Sequence, residues 1–311
     1  MTLGIKKISI ITLSAIFISS VIFLIIENKN TNIPENPNIP YSLSEPDKTY
    51  RLTEELKEIS GLTVSGKQKL ACIQDEKGII YLFNLNTGKT EQKIHFAGKG
   101  DFEALEIIKN NMWAVKSNGT LYEIKNIFSK NKRKIVKHKT FLTEKNNIEG
   151  LCADSNSENL LIACKGYPFP KNKKHKKYKA VYKFNIKTEK LEPSPFLLIN
   201  TDSVKKYQNY NHAAKLGLKS LNLINLPDGD ISFQPSGIAI HPISKNIYIT
   251  ASVGKSLIIL SPKGKILSVT KLDKKIFPQP EGICFDSVGT LFISNEGKNK
   301  KATILKFSPK K

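Results

Sequence analysis

Three glutamates fall at the same place in a short motif that recurs along the chain. A carboxylate repeated in register is the first feature able to do chemistry. The motif occurs five times, at 58–62 (EISGL), 101–105 (DFEAL), 147–151 (NIEGL), 234–238 (QPSGI) and 279–283 (QPEGI). Its third position reads Ser60, Glu103, Glu149, Ser236 and Glu281, and its fourth Gly61, Ala104, Gly150, Gly237 and Gly282. If the third positions converge, Glu103, Glu149 and Glu281 repel one another unless they are protonated or bridged by a cation. Oxygen donors suit a hard ion, and a mixture of carboxylates, hydroxyls, carbonyls and waters suits Ca²⁺ best. The alternative is local: glutamates that cap backbone amides and stay solvated. If an ion is held, Ser60, Ser236, Asp75 and Glu296 are candidates for a second layer; Asp75 and Glu296 stand at the ends of the following strands, where they could contact a substrate or add ion ligands. For Asp75-Glu76 and Asn295-Glu296 the competing assignment is ordinary turn chemistry.

The elements that must position these residues follow from the spacing. The fourth positions are separated by 43, 46, 87 and 45 residues, and a four-stranded propeller blade takes about 40–45. Each unit continues with strand-like runs such as LACIQD, NMWAVK, NLLIACK, NIYITAS and TLFISN. A second set follows (IIYLFNL, TLYEIK, AVYKFNI, SLIILSP, ATILKFS), and most units add a fourth run such as KTEQKIHF or LEPSPFLLI. Short strands with Asn-Thr-Gly and Pro-Lys-Gly turns between them are an all-β signature. A five-bladed β-propeller is expected over 50–311, with six blades as the alternative. The long interval carries a helix-like insertion at about 200–233. Since the last unit has only three strands, residues 50–56 are expected to supply the fourth and close the ring.

Charge and the amino terminus bound the setting. The 311 residues carry 49 Lys+Arg against 27 Asp+Glu, a net charge of +22, yet only Arg51 and Arg133 are arginines. Lysine lacks the planar fork that reads phosphates and guanine edges, and no nucleic-acid-binding motif accompanies the charge, so no nucleic acid partner is expected. The lysine-rich run 171–179 (KNKKHKKYK) reads as a solvated loop. Residues 8–26 form 19 uncharged, mostly aliphatic residues after Lys6 and Lys7, the length of a membrane span. The expectation is a cytoplasmic stub and uncleaved signal-anchor helix at 1–27, a cleaved signal peptide being the alternative. A flexible tether at 28–49 and a propeller on the extracytoplasmic side complete it. Cys72, Cys152, Cys164 and Cys284 sit in apolar runs and are expected to be free thiols. His95, His138, His175, His212 and His241 show no ligand spacing for zinc. No nucleophile elbow, P-loop or dinucleotide fingerprint is present.

The five motifs, with QPSGIAIHP, QPEGICFD and GTLFISNEG among them, resemble the SdiA-regulated (YjiK-like) family, distant relatives of NHL-type propellers. The resemblance covers about 50–311. It implies a five-bladed propeller with a calcium site, carried most directly onto Glu103, Glu149 and Glu281; Ser60 and Ser236 depart from glutamate. The functional expectation is a membrane-anchored, calcium-binding module for an unknown ligand or protein partner. The alternative is a metal-dependent hydrolase of the lactonase, esterase or phytase kind that uses the channel ion.

Overall fold

The computed structural model describes residues 39–169, 175–207 and 233–310. Five antiparallel sheets follow one another along the chain. Blade 1 holds β2 (Ile59–Gly66), β3 (Lys69–Gln74), β4 (Lys77–Asn84) and β5 (Lys89–Lys99); blade 2 holds β6 (Phe102–Ile108), β7 (Asn111–Lys116), β8 (Leu121–Lys125) and β9 (Lys134–His138). Blade 3 is β10 (Ile148–Ala153), β11 (Asn159–Cys164), β12 (Tyr178–Asn185), β13 (Lys190–Leu191) and β14 (Leu197–Asn200). Blade 4 is β15 (Gln234–Ile240), β16 (Ile247–Val253), β17 (Ser256–Leu260) and β18 (Ile266–Lys271). Blade 5 has β19 (Pro280–Phe285), β20 (Leu291–Asn295) and β21 (Thr303–Phe307), and its fourth strand is β1 (Lys48–Arg51), from the other end of the described chain. The register runs from Lys48 opposite Lys306 to Arg51 opposite Thr303.

The first strand of each blade packs on the first strands of both neighbours, in the cycle β2, β6, β10, β15, β19 and back to β2. Because β10 lies directly against β15, the long interval between their motifs contains no sixth blade. Residues 201–207 begin a helix there, and the rest of the expected insertion lies outside the described residues.

Local sequence chemistry accounts for the turns. Gly88 of Asn-Thr-Gly (φ 68°) and Gly264 of Pro-Lys-Gly (φ 82°) occupy the left-handed region, where a side chain would be strained. The outer edge of blade 3 departs from a single run over LEPSPFLLI. Pro193 and Pro195 offer no N–H to a ladder, and the segment divides into β13 and β14, which pair with different halves of β12.

The apolar faces of consecutive blades bury against each other, giving five inter-blade cores in place of one centre. Leu62, Tyr81 and Phe83 of blade 1 meet Cys284, Phe292 and Ile304 of blade 5, and Trp113 of blade 2 meets Tyr182 and Phe184 of blade 3. All four cysteines are buried and free, as expected. Composition places residues 39–49 in the tether, whereas the structure seats them on the propeller. Tyr41 is buried and its hydroxyl donates to the Gly289 carbonyl (2.6 Å), with His241 Nε2 at 3.0 Å. The expected membrane helix at 8–26 lies outside the described residues; among these, no helix is long and apolar enough to cross a membrane.

Candidate functional site: an acidic ring around one lysine

Each inner strand is irregular at the same place. Pairing with the second strand shifts between Ile59 and Gly61, Phe102 and Ala104, Ile148 and Gly150, Pro235 and Gly237, and Pro280 and Ile283. In blades 1 to 4 the residue left unpaired is the third motif position, Ser60, Glu103, Glu149 or Ser236; in blade 5 the shift spans Glu281 together with Gly282. A bulge re-aims the side chain it carries. Five bulges in register therefore gather the repeated position around the channel.

The serines and glutamates use this geometry differently. Ser60 Oγ donates to the Phe102 carbonyl (2.8 Å) and Ser236 Oγ to the Pro280 carbonyl (2.7 Å), each one blade along. They act as staples between inner strands. Glu149 and Glu281 are buried and Glu103 is half-buried. Burial, with Glu149 and Asp101 nearby, pushes the Glu103 carboxyl up to about 10. Burial and Glu149 push Glu281 up to about 8.

A cation the motif did not reveal sits among them. Lys165 Nζ lies 3.0 Å from Glu149 Oε1, which also accepts from Asn147 Nδ2 at 3.0 Å. Burial still raises the Glu149 carboxyl against the pull of Lys165. For Lys165 the balance is reversed: burial lowers it, but Glu149, Glu281 and Glu103 together hold it above the ordinary lysine value. Burial prevails for the acid and the surrounding carboxylates prevail for the base, so both partners move upward.

Asp75 and Glu296 belong to the same environment. Burial, then Glu58 and Glu76, raise Asp75 to about 6, and its Oδ1 is buried without a hydrogen-bond partner. Burial raises Glu296, which also feels Glu58 and Lys165 and accepts a bond from Gln279 Nε2. The strand register explains the grouping. Gly61 pairs with Ile73 and Gly150 with Ala163, and Ile283 pairs with Ile293, which sets Ser294 across from Gly282. Two residues past these partners stand Asp75, Lys165 and Glu296. Lys165 was thus detectable as the blade 3 counterpart of the two acids.

Glu106, also missed by the motif, has another role. Its carboxylate accepts from Thr63 Oγ1 (2.7 Å), Ile107 N (2.7 Å) and Ala153 N (3.2 Å), tying blades 1, 2 and 3 together farther along the inner strands. Burial raises its pKa, and three donors account for its acceptor sites.

The ring predicts an inverted pH profile for the metal-free protein. A carboxyl raised in the folded state contributes most stability below its ordinary value of 4.5 and loses that contribution as pH passes its folded value, about 8 for Glu281 and about 10 for Glu103. In chelator, the melting temperature should fall by several degrees between about pH 5.5 and about pH 9. A rise across that interval, measured by calorimetry, would contradict the assigned environments.

Comparison with known proteins agrees with the fold. The Myxococcus xanthus glutaminyl cyclase structure superposes with a TM-score of 0.52 at 10% identity, over 85% of this chain and 95% of that one. A chain of the nidogen/laminin complex gives 0.46 at 13% identity, over 76% of this chain and 72% of that one. The Staphylococcus aureus virginiamycin B lyase gives 0.42 at 14%, over 79% and 66%. At these identities the likeness concerns fold alone. No curated protein matches the chain. The SdiA-regulated family matches residues 42–299, all five motifs included, and the chain belongs to that family.

Proposed function

We propose that this chain is a membrane-anchored extracytoplasmic binding propeller whose acidic ring takes Ca²⁺ and whose ion-loaded channel mouth holds a ligand or protein partner. The observation that carries the reading is a charge imbalance. Glu103, Glu149, Glu281 and Glu296 share an environment with Lys165, Asp75 adjoins it through Glu58, and burial raises every one of these acids above its ordinary value. The donor chemistry suits a hard cation, since the acids offer oxygen only and Asp75 Oδ1 is a buried oxygen without a partner; no three of their oxygens lie within 4.8 Å of one another, so an ion would have to draw them together. Glu103, Glu149 and Glu281 would hold the ion, with Asp75 and Glu296 beside them. Lys165 is the intramolecular competitor, since its ammonium engages Glu149. Bound Ca²⁺ supplies charge neutralisation; the protein's own groups set the ring, staple it through Ser60 and Ser236, and exclude bulk water by burial. The anchor rests on the apolar segment 8–26.

Elemental analysis of the full chain purified in detergent should find Ca²⁺, and chelation should lower the melting temperature. At a hundred-fold excess over Kd the stabilisation amounts to about 2.7 kcal/mol. Absence of Ca²⁺ together with a melting temperature indifferent to added Ca²⁺ would remove the ion from the proposal. Extraction of the chain from membranes by alkaline carbonate would remove the anchor.

A further inference from the structure

A second group of side chains lies away from the ring, where the outer part of blade 2 meets blade 3. Glu123 on β8 and His138 at the end of β9 share a sheet face: Leu121 is opposite His138 and Glu123 opposite Val136 in that pair of strands. Glu189 reaches them from blade 3, on the turn between β12 and β13, where its backbone is left-handed (φ 56°). One imidazole nitrogen and one oxygen from each carboxylate lie within 4.8 Å of one another; among the described residues this is the one such trio of His, Cys, Asp or Glu.

The histidine is the unusual member. His138 is 7% exposed, and its Nε2 is buried with no hydrogen-bond partner, although it lies 3.4 Å from Glu123 Oε2. Its Nδ1 stands 3.6 Å from Glu189 Oε2, so a single ion on Nε2 requires the exposed Glu189 carboxylate to turn toward that edge of the ring. Two donors ~2.0–2.1 Å from a tetrahedral ion stand about 3.3 Å apart, so the Nε2 to Oε2 separation is that of two ligands of one metal. The other Glu123 oxygen accepts from Asn111 Nδ2 (2.8 Å), which fixes the carboxylate with Oε2 turned toward the histidine. Such outer partners orient metal ligands in known sites. Lys125 Nζ, 3.2 Å from the same Oε2, is the cation that now offsets Glu123; its side chain is 38% exposed and free to swing into solvent.

We propose that Glu123, His138 and Glu189 form a divalent transition-metal site that clamps blade 2 to blade 3. Imidazole with two carboxylates suits Zn²⁺, Co²⁺ or Ni²⁺ and disfavours Ca²⁺, which distinguishes this site from the oxygen-only ring. The clamp joins two blades at their outer rim, and its ligand set leaves a position open to water.

The chain contains its own reporter. Trp113, the single tryptophan, packs against His138 with the rings tilted by 31° and their centroids 5.2 Å apart. Adding Co²⁺ to the metal-free full chain in detergent should quench tryptophan fluorescence saturably at one equivalent. Excess Zn²⁺ should reverse the quenching and excess Ca²⁺ should not. Glu189→Gln, on an exposed turn and so safe for folding, should weaken Co²⁺ at least about ten-fold with an unchanged melting temperature in chelator. His138→Gln should abolish the quenching. Quenching that does not saturate, that Ca²⁺ reverses as readily as Zn²⁺, or that Glu189→Gln leaves at wild-type affinity would overturn the site. Loss of Ca²⁺ binding at the ring would leave this result unaffected, so the two proposals fail separately.

Discussion

Lys165→Met should lower the melting temperature of the metal-free protein by roughly 6–12 °C at pH 8, taking about 3 kcal/mol lost and about 2–4 °C per kcal/mol for a domain of this size. Methionine keeps most of the apolar stem and removes the ammonium, so the change is chiefly electrostatic. Glu149, its side chain 8% exposed, is then left buried with Asn147 as its remaining donor. Breaking a buried pair from one side costs about 3–5 kcal/mol, because the surviving charge has no compensation. The lower end applies here, since the Lys165 side chain is 24% exposed. Two further observations separate this explanation from simple loss of packing. The deficit should shrink as pH falls, because burial raises the Glu149 carboxyl and protonation removes the uncompensated charge, and Glu149→Gln in the same chain should recover part of it. Ca²⁺ should also bind the variant more tightly, because its competitor is gone. An unchanged melting temperature in calorimetry at pH 8 would show that Lys165 does not neutralise the ring.

Gly237→Ala should destabilise the fold by at least about 1–3 kcal/mol, the usual cost of overpacking. An added Cβ would lie 2.4 Å from the Glu281 carbonyl oxygen and 2.8 Å from Thr250 Oγ1. Neither can yield freely: the carbonyl belongs to the inner strand of blade 5, and Thr250 Oγ1 donates to it at 2.8 Å. The methyl would push two inner strands apart where the bulges aim the ring. Ca²⁺ affinity should therefore fall along with stability. Urea unfolding with an unaltered midpoint would mean that the strands accommodate the methyl, against the close approach seen. The same crowding explains why the fourth motif position is glycine in four blades. A Cβ on Gly282 would lie 2.9 Å from Leu62 N, and one on Gly61 2.8 Å from the Cα of Ala104.

Much of this was legible in sequence because a propeller repeats one solution to one packing problem. The glycine marks where inner strands touch, the residue before it marks the channel, and together they gave five blades and the ring. The bulge was not legible. It is a relation between two strands, and Glu149 looks like any residue of an extended run until Ala163 is paired with Gly150. Lys165 was not legible because a lysine at the position of Asp75 and Glu296 carries the opposite charge, so the strand ends share a place but no residue type. The Glu123, His138 and Glu189 group had no signal at all. Its members come from two blades, and only blade packing brings them together, so spacing along the chain argued against zinc.

The pairing of β1 with β21 also bears on how the molecule is made. Of the described strands β1 emerges first on the ribosome, yet its partner at Thr303–Phe307 emerges last. Blades 1 to 4 each have their strands in sequence and can form as they appear. Blade 5 waits until Thr303–Phe307 has emerged, and the pairing of sequence-distant ends then falls on a strand of four residues. Until that moment β21 presents an open edge, the kind of surface that invites pairing with another chain. Lys48 and Arg51 on the one side and Lys306 on the other put like charges along that seam. They oppose this pairing alike whether β1 comes from the same chain or from another, so closure within one chain is favoured by proximity and not by charge.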